Sequence, residues 1–129
     1  MLEIDHIGYA VNNLEEAMGQ LCLLGYSFGK AIKDEERKVL LAFGNYKGYQ
    51  VELVAPAAGG SPVDNILKNT GPSPYHICYC SNDFDEDLKI LCGGGYKVAV
   101  PPAPAAAFEG RKVVFLYALA VGLVEVVEK

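Results

Sequence analysis

Residues 6–26, HIGYAVNNLEEAMGQLCLLGY, recur 70 positions later as residues 76–96, HICYCSNDFDEDLKILCGGGY, without a gap. Nine of the 21 positions are identical: His6/His76, Ile7/Ile77, Tyr9/Tyr79, Asn12/Asn82, Glu16/Glu86, Leu21/Leu91, Cys22/Cys92, Gly25/Gly95 and Tyr26/Tyr96. Unrelated sequence would match at about one position in fifteen to twenty. The echo continues downstream. Arg37-Lys38-Val39 recurs as Arg111-Lys112-Val113 at offset 74, and Val51-Glu52-Leu53-Val54 as Val124-Glu125-Val126-Val127 at offset 73. Such a chain is two copies of one unit, and any fold it adopts must contain that unit twice. A copy of about sixty residues is close to the size at which a core alone is marginal, so the two are expected to act as one domain.

Each copy reads as strand, helix, strand, strand, strand. Ile4 to Ala10 is rich in β-branched and aromatic residues. Asn12 or Asn13 can cap the helix that follows, and Gly25 can close it. Leu14, Ala17, Met18, Leu21 and Leu24 (or Cys22) fall at three- and four-residue spacing, the stripe of an amphipathic helix. Strands are expected near Tyr26–Ala31, Lys38–Phe43 and Tyr49–Ala55, with residues 44–48 as the hairpin loop. The second copy predicts a strand at Tyr75–Cys80, a helix at Asp83–Cys92 stopped by Gly93-Gly94-Gly95, and strands near Tyr96–Val100, Lys112–Ala118 and Leu123–Val127. Between the copies, Ser61-Pro62 reads as the opening of a short helix. Pro101-Pro102-Ala103-Pro104-Ala105-Ala106-Ala107 cannot join a central strand, because proline lacks the N–H, and is expected as a long loop or lid. The boundaries are 1–56 for the first module, 57–73 for the linker and 74–129 for the second.

Composition narrows the partners. The net charge of −5 argues against a non-specific binder of nucleic acid or of an anionic membrane. The longest apolar run, Val113–Val124, is shorter than the ~18 residues of a membrane span. The first residues lack the basic-then-apolar order of a signal peptide. Cys22, Cys78, Cys80 and Cys92 form no C-x-x-C pair, which argues against a zinc ribbon or thioredoxin motif. Reduced thiols in a cytoplasmic protein are the expectation.

The only two histidines, His6 and His76, occupy matched places on the first strand of each copy, and Glu52 and Glu125 matched places on the last. If the copies pack about a pseudo-twofold axis, these four side chains converge. Two imidazoles and two carboxylates form an N₂O₂ set suited to one divalent metal: nickel, cobalt, zinc or manganese. A lone strand histidine is more often a satisfied polar residue, and a lone strand glutamate a solvent-facing one. The recurrence of both at equivalent positions is what favours a metal site.

These residues resemble the vicinal oxygen chelate superfamily of glyoxalase I, methylmalonyl-CoA epimerase, extradiol dioxygenases and bleomycin- and fosfomycin-resistance proteins. The resemblance is carried by Asp5-His6-Ile7-Gly8-Tyr9-Ala10-Val11, Val51-Glu52-Leu53-Val54-Ala55-Pro56, Ser61-Pro62, Tyr75-His76-Ile77-Cys78-Tyr79 and Leu123-Val124-Glu125, in order along nearly the whole chain. It implies an α+β fold of two βαβββ modules forming a curled mixed-sheet cup around a metal. Carried onto this sequence, His6, Glu52, His76 and Glu125 are the metal positions. The set looks like that of nickel- or cobalt-type bacterial glyoxalase I, whereas some epimerases have Gln where this chain has Glu52. Epimerases commonly read Ala-His-Gly before the seventh strand and His-Pro-Lys after it. This chain has Phe108-Glu109-Gly110 and Tyr117-Ala118-Leu119 there.

The resemblance points first to a glyoxalase I-type isomerase. It would convert the hemithioacetal of methylglyoxal and a small thiol to a lactoyl thioester. Glu125 would move the proton beside the metal, with Glu52 its counterpart. The runner-up is a methylmalonyl-CoA epimerase-type racemase acting on an acyl-CoA. A metal-free sequestering protein is disfavoured by the intact His/Glu set, and an iron dioxygenase by a fourth protein ligand. Arg37 and Arg111, also repeat-equivalent at offset 74, are candidate substrate contacts through bidentate guanidinium pairing. Cys78 follows His76 by two and should share its face as a small lining residue. Family members usually form dimers, so a homodimer is expected.

Overall fold

The structure is a computed structural model that describes residues 2–129. Its elements are β1 (Leu2–Ala10), α1 (Leu14–Leu24), β2 (Ser27–Phe28), β3 (Ile32–Asp34), β4 (Val39–Tyr46), β5 (Tyr49–Pro56), α2 (Asp64–Asn69), β6 (Ser73–Ser81), α3 (Phe84–Gly93), β7 (Lys97–Pro104), a 3₁₀ turn (Ala106–Phe108), β8 (Lys112–Ala118) and β9 (Gly122–Glu128). The class is α+β, with the βαβββ order in the second copy and, in the first, the same order with its second strand split into β2 and β3. The chain forms two compact units. One is His6–Tyr75; residues 2–5 join His76–Lys129 in the other.

In the first unit the strand order is β2-β4-β5-β1, with β3 also paired to β4. β5 lies parallel to β1 and antiparallel to β4. Asn13 caps α1 by accepting the Glu16 N–H at 3.0 Å, and Gly25 ends it in the left-handed conformation at φ 117°. The helix lays Leu14, Ala17, Met18 and Leu21 against Tyr9, Ala42, Leu53 and Ala55. Cys22 and Leu24, expected as further members of that stripe, are exposed instead. At about 100° per residue they fall roughly 70–90° to either side of its centre.

Three local expectations change here. The strand expected over Tyr26–Ala31 is two short strands. β2 pairs Phe28 with Gly44 and β3 pairs Ile32 with Leu41, so residues 29–31 stand opposite residues 42–43. One extra residue interrupts the ladder, as in a bulge. The hairpin loop shrinks from five residues to two. Asn45 pairs with Gln50 and Tyr46 with Tyr49, leaving Lys47 and Gly48 at φ 52° and 88°, the positive pair that a tight mirror-image turn requires. Finally, α2 opens at Asp64 rather than at Ser61-Pro62. Asp64 Oδ2 accepts the N–H groups of Gly60 and Ser61, holding Ser61 and Pro62 in the turn ahead of the helix.

In the second unit the order is β6-β9-β8-β7, with β6 and β9 parallel and the other neighbours antiparallel. Asp83 caps α3 by accepting the Glu86 N–H. Phe84, Leu88 and Leu91 pack on Val114, Leu116 and Val126. The proline-rich segment expected as a loop or lid is strand as far as Pro104. β7 runs through Pro101, Pro102 and Pro104 at the end of this strand order, with register shifts at Val98/Val100 and Val100/Ala103. An outer strand with bulges has no partner waiting for the missing proline N–H groups, so the prolines fit there.

Candidate metal centre

Side chains alternate along a strand, so each sheet has a helix-covered face and an opposite face. In the first unit Tyr9, Ala42 and Leu53 meet α1. His6 and Gly8 of β1, Glu52 of β5 and Phe43 of β4 therefore share the other face. The ladders set them side by side: Gly8 is opposite Glu52 on the parallel pair, and Phe43 opposite Glu52 on the antiparallel one. His6 Nε2 lies 3.3 Å from Glu52 Oε1, and the two residues are 1% and 5% exposed. The ring of Phe43 meets that of His6 edge-on, with centroids 5.3 Å apart and planes at 78°.

The second unit reproduces this arrangement. Cys78 is opposite Glu125 on the parallel β6–β9 pair, and Phe115 opposite Glu125 on β8–β9. His76 Nε2 lies 3.3 Å from Glu125 Oε1, and both residues are 5% exposed. Phe115 meets His76 edge-on at 5.3 Å and 88°. Cys78 is fully buried and shares the face of His76 and Glu125, as expected. The two phenylalanines escaped the sequence reading. Their signal is a match at offset 72, which the Arg-Lys-Val match at offset 74 obscures.

That same register corrects the reading of the arginines. Phe43 and Phe115 occupy the same place, so the counterpart of Arg111 is Val39, not Arg37. Their partners differ too. Arg37 Nη1 lies 3.3 Å from Asp34 Oδ2 in the turn before β4. Arg111 donates to the carbonyls of Phe108 and Glu128, each at 3.2 Å, and lies over the Phe108 ring. Offset 74 does not follow the ladder register, and each guanidinium has a partner within its own unit.

The donor chemistry fits a metal. A carboxylate taken out of water is costly unless a positive charge and good geometry compensate it. Two donors each about 2.1 Å from one cation lie roughly 3.0–3.4 Å apart in octahedral or tetrahedral geometry. The 3.3 Å spacing in each pair falls in that range. His6 and Glu52, and likewise His76 and Glu125, are thus residues able to hold a divalent cation.

The chain belongs to the glyoxalase/bleomycin resistance protein/dioxygenase superfamily, whose family model matches residues 5–115. Among curated relatives, it is 28% identical over 131 residues to the mitochondrial methylmalonyl-CoA epimerase of Dictyostelium discoideum, covering 98% of this chain and 78% of that protein. It is 30% identical over 117 residues to the uncharacterised protein YqjC of Bacillus subtilis (strain 168), covering 90% and 83%. In fold it resembles a variant of the Streptomyces coelicolor methylmalonyl-CoA epimerase, solved in complex with 2-nitronate-propionyl-CoA. The TM-score is 0.83 at 24% identity, covering 98% of this chain and 96% of that one. Among the described residues, no helix is long and apolar enough to cross a membrane.

Proposed function

We propose that this chain is a metal-dependent epimerase of 2-substituted acyl-CoA thioesters, of the methylmalonyl-CoA type. The observation that carries the reading is the pair of buried imidazole–carboxylate couples, each spaced 3.3 Å, in a chain similar over 98% of its length to an epimerase. His6, Glu52, His76 and Glu125 would hold one divalent metal between them, with the two units acting as one domain. Nickel, cobalt, zinc and manganese all suit an N₂O₂ set. The glyoxalase I-type isomerisation becomes the runner-up, because two of the three relatives reported above are methylmalonyl-CoA epimerases and none carries the name of a lactoylglutathione lyase. Homodimer assembly and a cytoplasmic location belong to the same proposal.

The reaction is a proton transfer. The C2–H bond beside the thioester carbonyl breaks, its electron pair delocalises onto the carbonyl oxygen, and reprotonation on the opposite face inverts C2. When bound, the metal supplies Lewis-acid stabilisation of that negative charge. Glu125 takes or returns the C2 proton, and Glu52, its repeat counterpart, serves the other face. His6 and His76 would hold the metal beside their carboxylates, each with its ring braced edge-on by a phenylalanine. No bond other than C2–H is broken.

The test is incubation of metal-loaded protein with one epimer of methylmalonyl-CoA in D₂O. Racemisation with deuterium at C2 is expected, and it should stop on chelation. Absence of exchange, together with lactoyl thioester formed from a methylglyoxal hemithioacetal, would favour the isomerase instead.

A further inference from the structure

The repeat closes a space in its second copy that it leaves open in its first. Between α1 and the end of β1 lies an open groove of about 320 Å³. Val11, Ala17 and Leu21, buried or half-buried, line its floor, and exposed Pro72, Glu16 and Gln20 its rim. Offset 70 gives the counterpart of each. Ala17 corresponds to Asp87 and Val11 to Ser81, and in that copy the Ser81 hydroxyl donates to Asp87 Oδ2 at 2.6 Å, bridging helix and strand. Pro72 corresponds to Leu2, which packs against the α3 core of Phe84, Leu116 and Val126. The first copy therefore lacks a carboxylate arm at one position and a leucine side chain at the other. The groove opens on the helix-covered face of its sheet, since Val11 and Leu21 belong to the α1 core, whereas His6 and Glu52 stand on the opposite face. Its size is at the low end of the ~300–1,000 Å³ of small-molecule sites.

Charge narrows the occupant. Among the described residues, Glu16 is the one charged side chain lining the groove. The N-terminal end of α1 would otherwise favour an anion, but its first turn already carries Glu15 and Glu16 and its cap is Asn13. An apolar floor under a carboxylate and an amide suits a short alkyl group with a cationic, hydrogen-donating head. We propose that this groove is a second binding site, for small primary alkylamines. The alkyl group takes the place that leucine fills in the other copy, and the ammonium donates to the Glu16 carboxylate and the Gln20 side-chain carbonyl. An anionic ligand meets Glu16 as a like charge, so the acyl-CoA thioesters read above as substrates are disfavoured here. The proposal stands independently of the epimerase reading.

The test titrates the isotope-labelled full chain with isopentylamine, isopentanol and isovalerate, which share the branched skeleton of a leucine side chain and differ in the charge of the head group. The amide chemical shifts of Val11, Ala17 and Leu21 are followed. Saturable shifts are expected at all three, with the amine binding about two- to fivefold more tightly than the alcohol, the scale of an exposed ion pair. The carboxylate should bind more weakly than either. Glu16→Gln should bring the amine down to the affinity of the alcohol and leave the alcohol unchanged. Pro72→Leu, which installs the residue type of the other copy, should weaken amine and alcohol alike by about tenfold, the loss of burial for roughly two methylene groups. Ala17→Leu should do the same, and far-UV circular dichroism checks that each variant is folded; if Ala17→Leu is not, Pro72→Leu decides. The proposal is overturned by the absence of saturable shifts at these amides, or by an amine that binds no better than the alcohol. It is equally overturned if the preference for the amine survives Glu16→Gln, or if folded Pro72→Leu binds as wild type does.

Discussion

Phe115 meets His76 edge to face, with ring centroids 5.3 Å apart and planes at 88°. The contact fixes the imidazole plane, and that plane aims Nε2 at Glu125. Phe115→Leu keeps an apolar side chain but removes the ring that sets this angle. Groups that orient a metal-binding histidine typically matter about 10–100-fold in affinity. We expect divalent-metal affinity to fall by about tenfold in calorimetric titration, while the far-UV circular dichroism stays that of wild type.

The two glutamates should not be equally sensitive. Glu125→Gln keeps the shape but removes the proposed base, and general acid–base groups contribute about 10²–10⁴-fold. C2 deuterium exchange should fall by at least about a hundredfold. Glu52→Gln should cost less, as the resemblance to epimerases with Gln at that position implies. Equal losses in the two variants would contradict the assignment of Glu125 as the principal proton carrier.

Metal should stabilise the fold. A ligand bound only by the native state, at a hundred times its Kd, adds about 2.7 kcal/mol. For a chain of this size that is roughly a 10 °C rise in Tm. Calorimetry with and without zinc, followed by chelation, checks it. No rise with zinc, nickel, cobalt or manganese speaks against the metal centre.

Gly25 and Gly95 are repeat partners, and both hold a positive φ, 117° and 109°. A Cβ at Gly25 would come within 2.7 Å of the Tyr46 ring, whereas one at Gly95 meets nothing within 4 Å. Gly95→Ala carries backbone strain alone, about 1–2 kcal/mol. Gly25→Ala adds a steric clash, typically about 1–3 kcal/mol more. Urea unfolding of the two variants should rank them in that order.

The repeat, the two helices and the four recurring residues were legible in sequence, with Asn13 one of two capping candidates for the first helix. Each is written in local spacing or in a residue type that recurs, and neither needs knowledge of distant strands. What failed was long-range. The break between β2 and β3 depends on how each pairs with β4. Pro101 to Pro104 could enter a strand because β7 ends its sheet order, which is a property of the topology. Arg37 and Arg111 matched in letters but not in ladder register, and Phe43 and Phe115 matched in register without being noticed.

The sequence by itself determined that one unit would be built twice, and which imidazoles and carboxylates would recur in it. Only the tertiary structure decided that Glu52 and Glu125 are buried 3.3 Å from their histidines. The physical reason is that residue spacing fixes which face a side chain takes. Which side chains share that face is set by hydrogen-bond register between strands tens of residues apart.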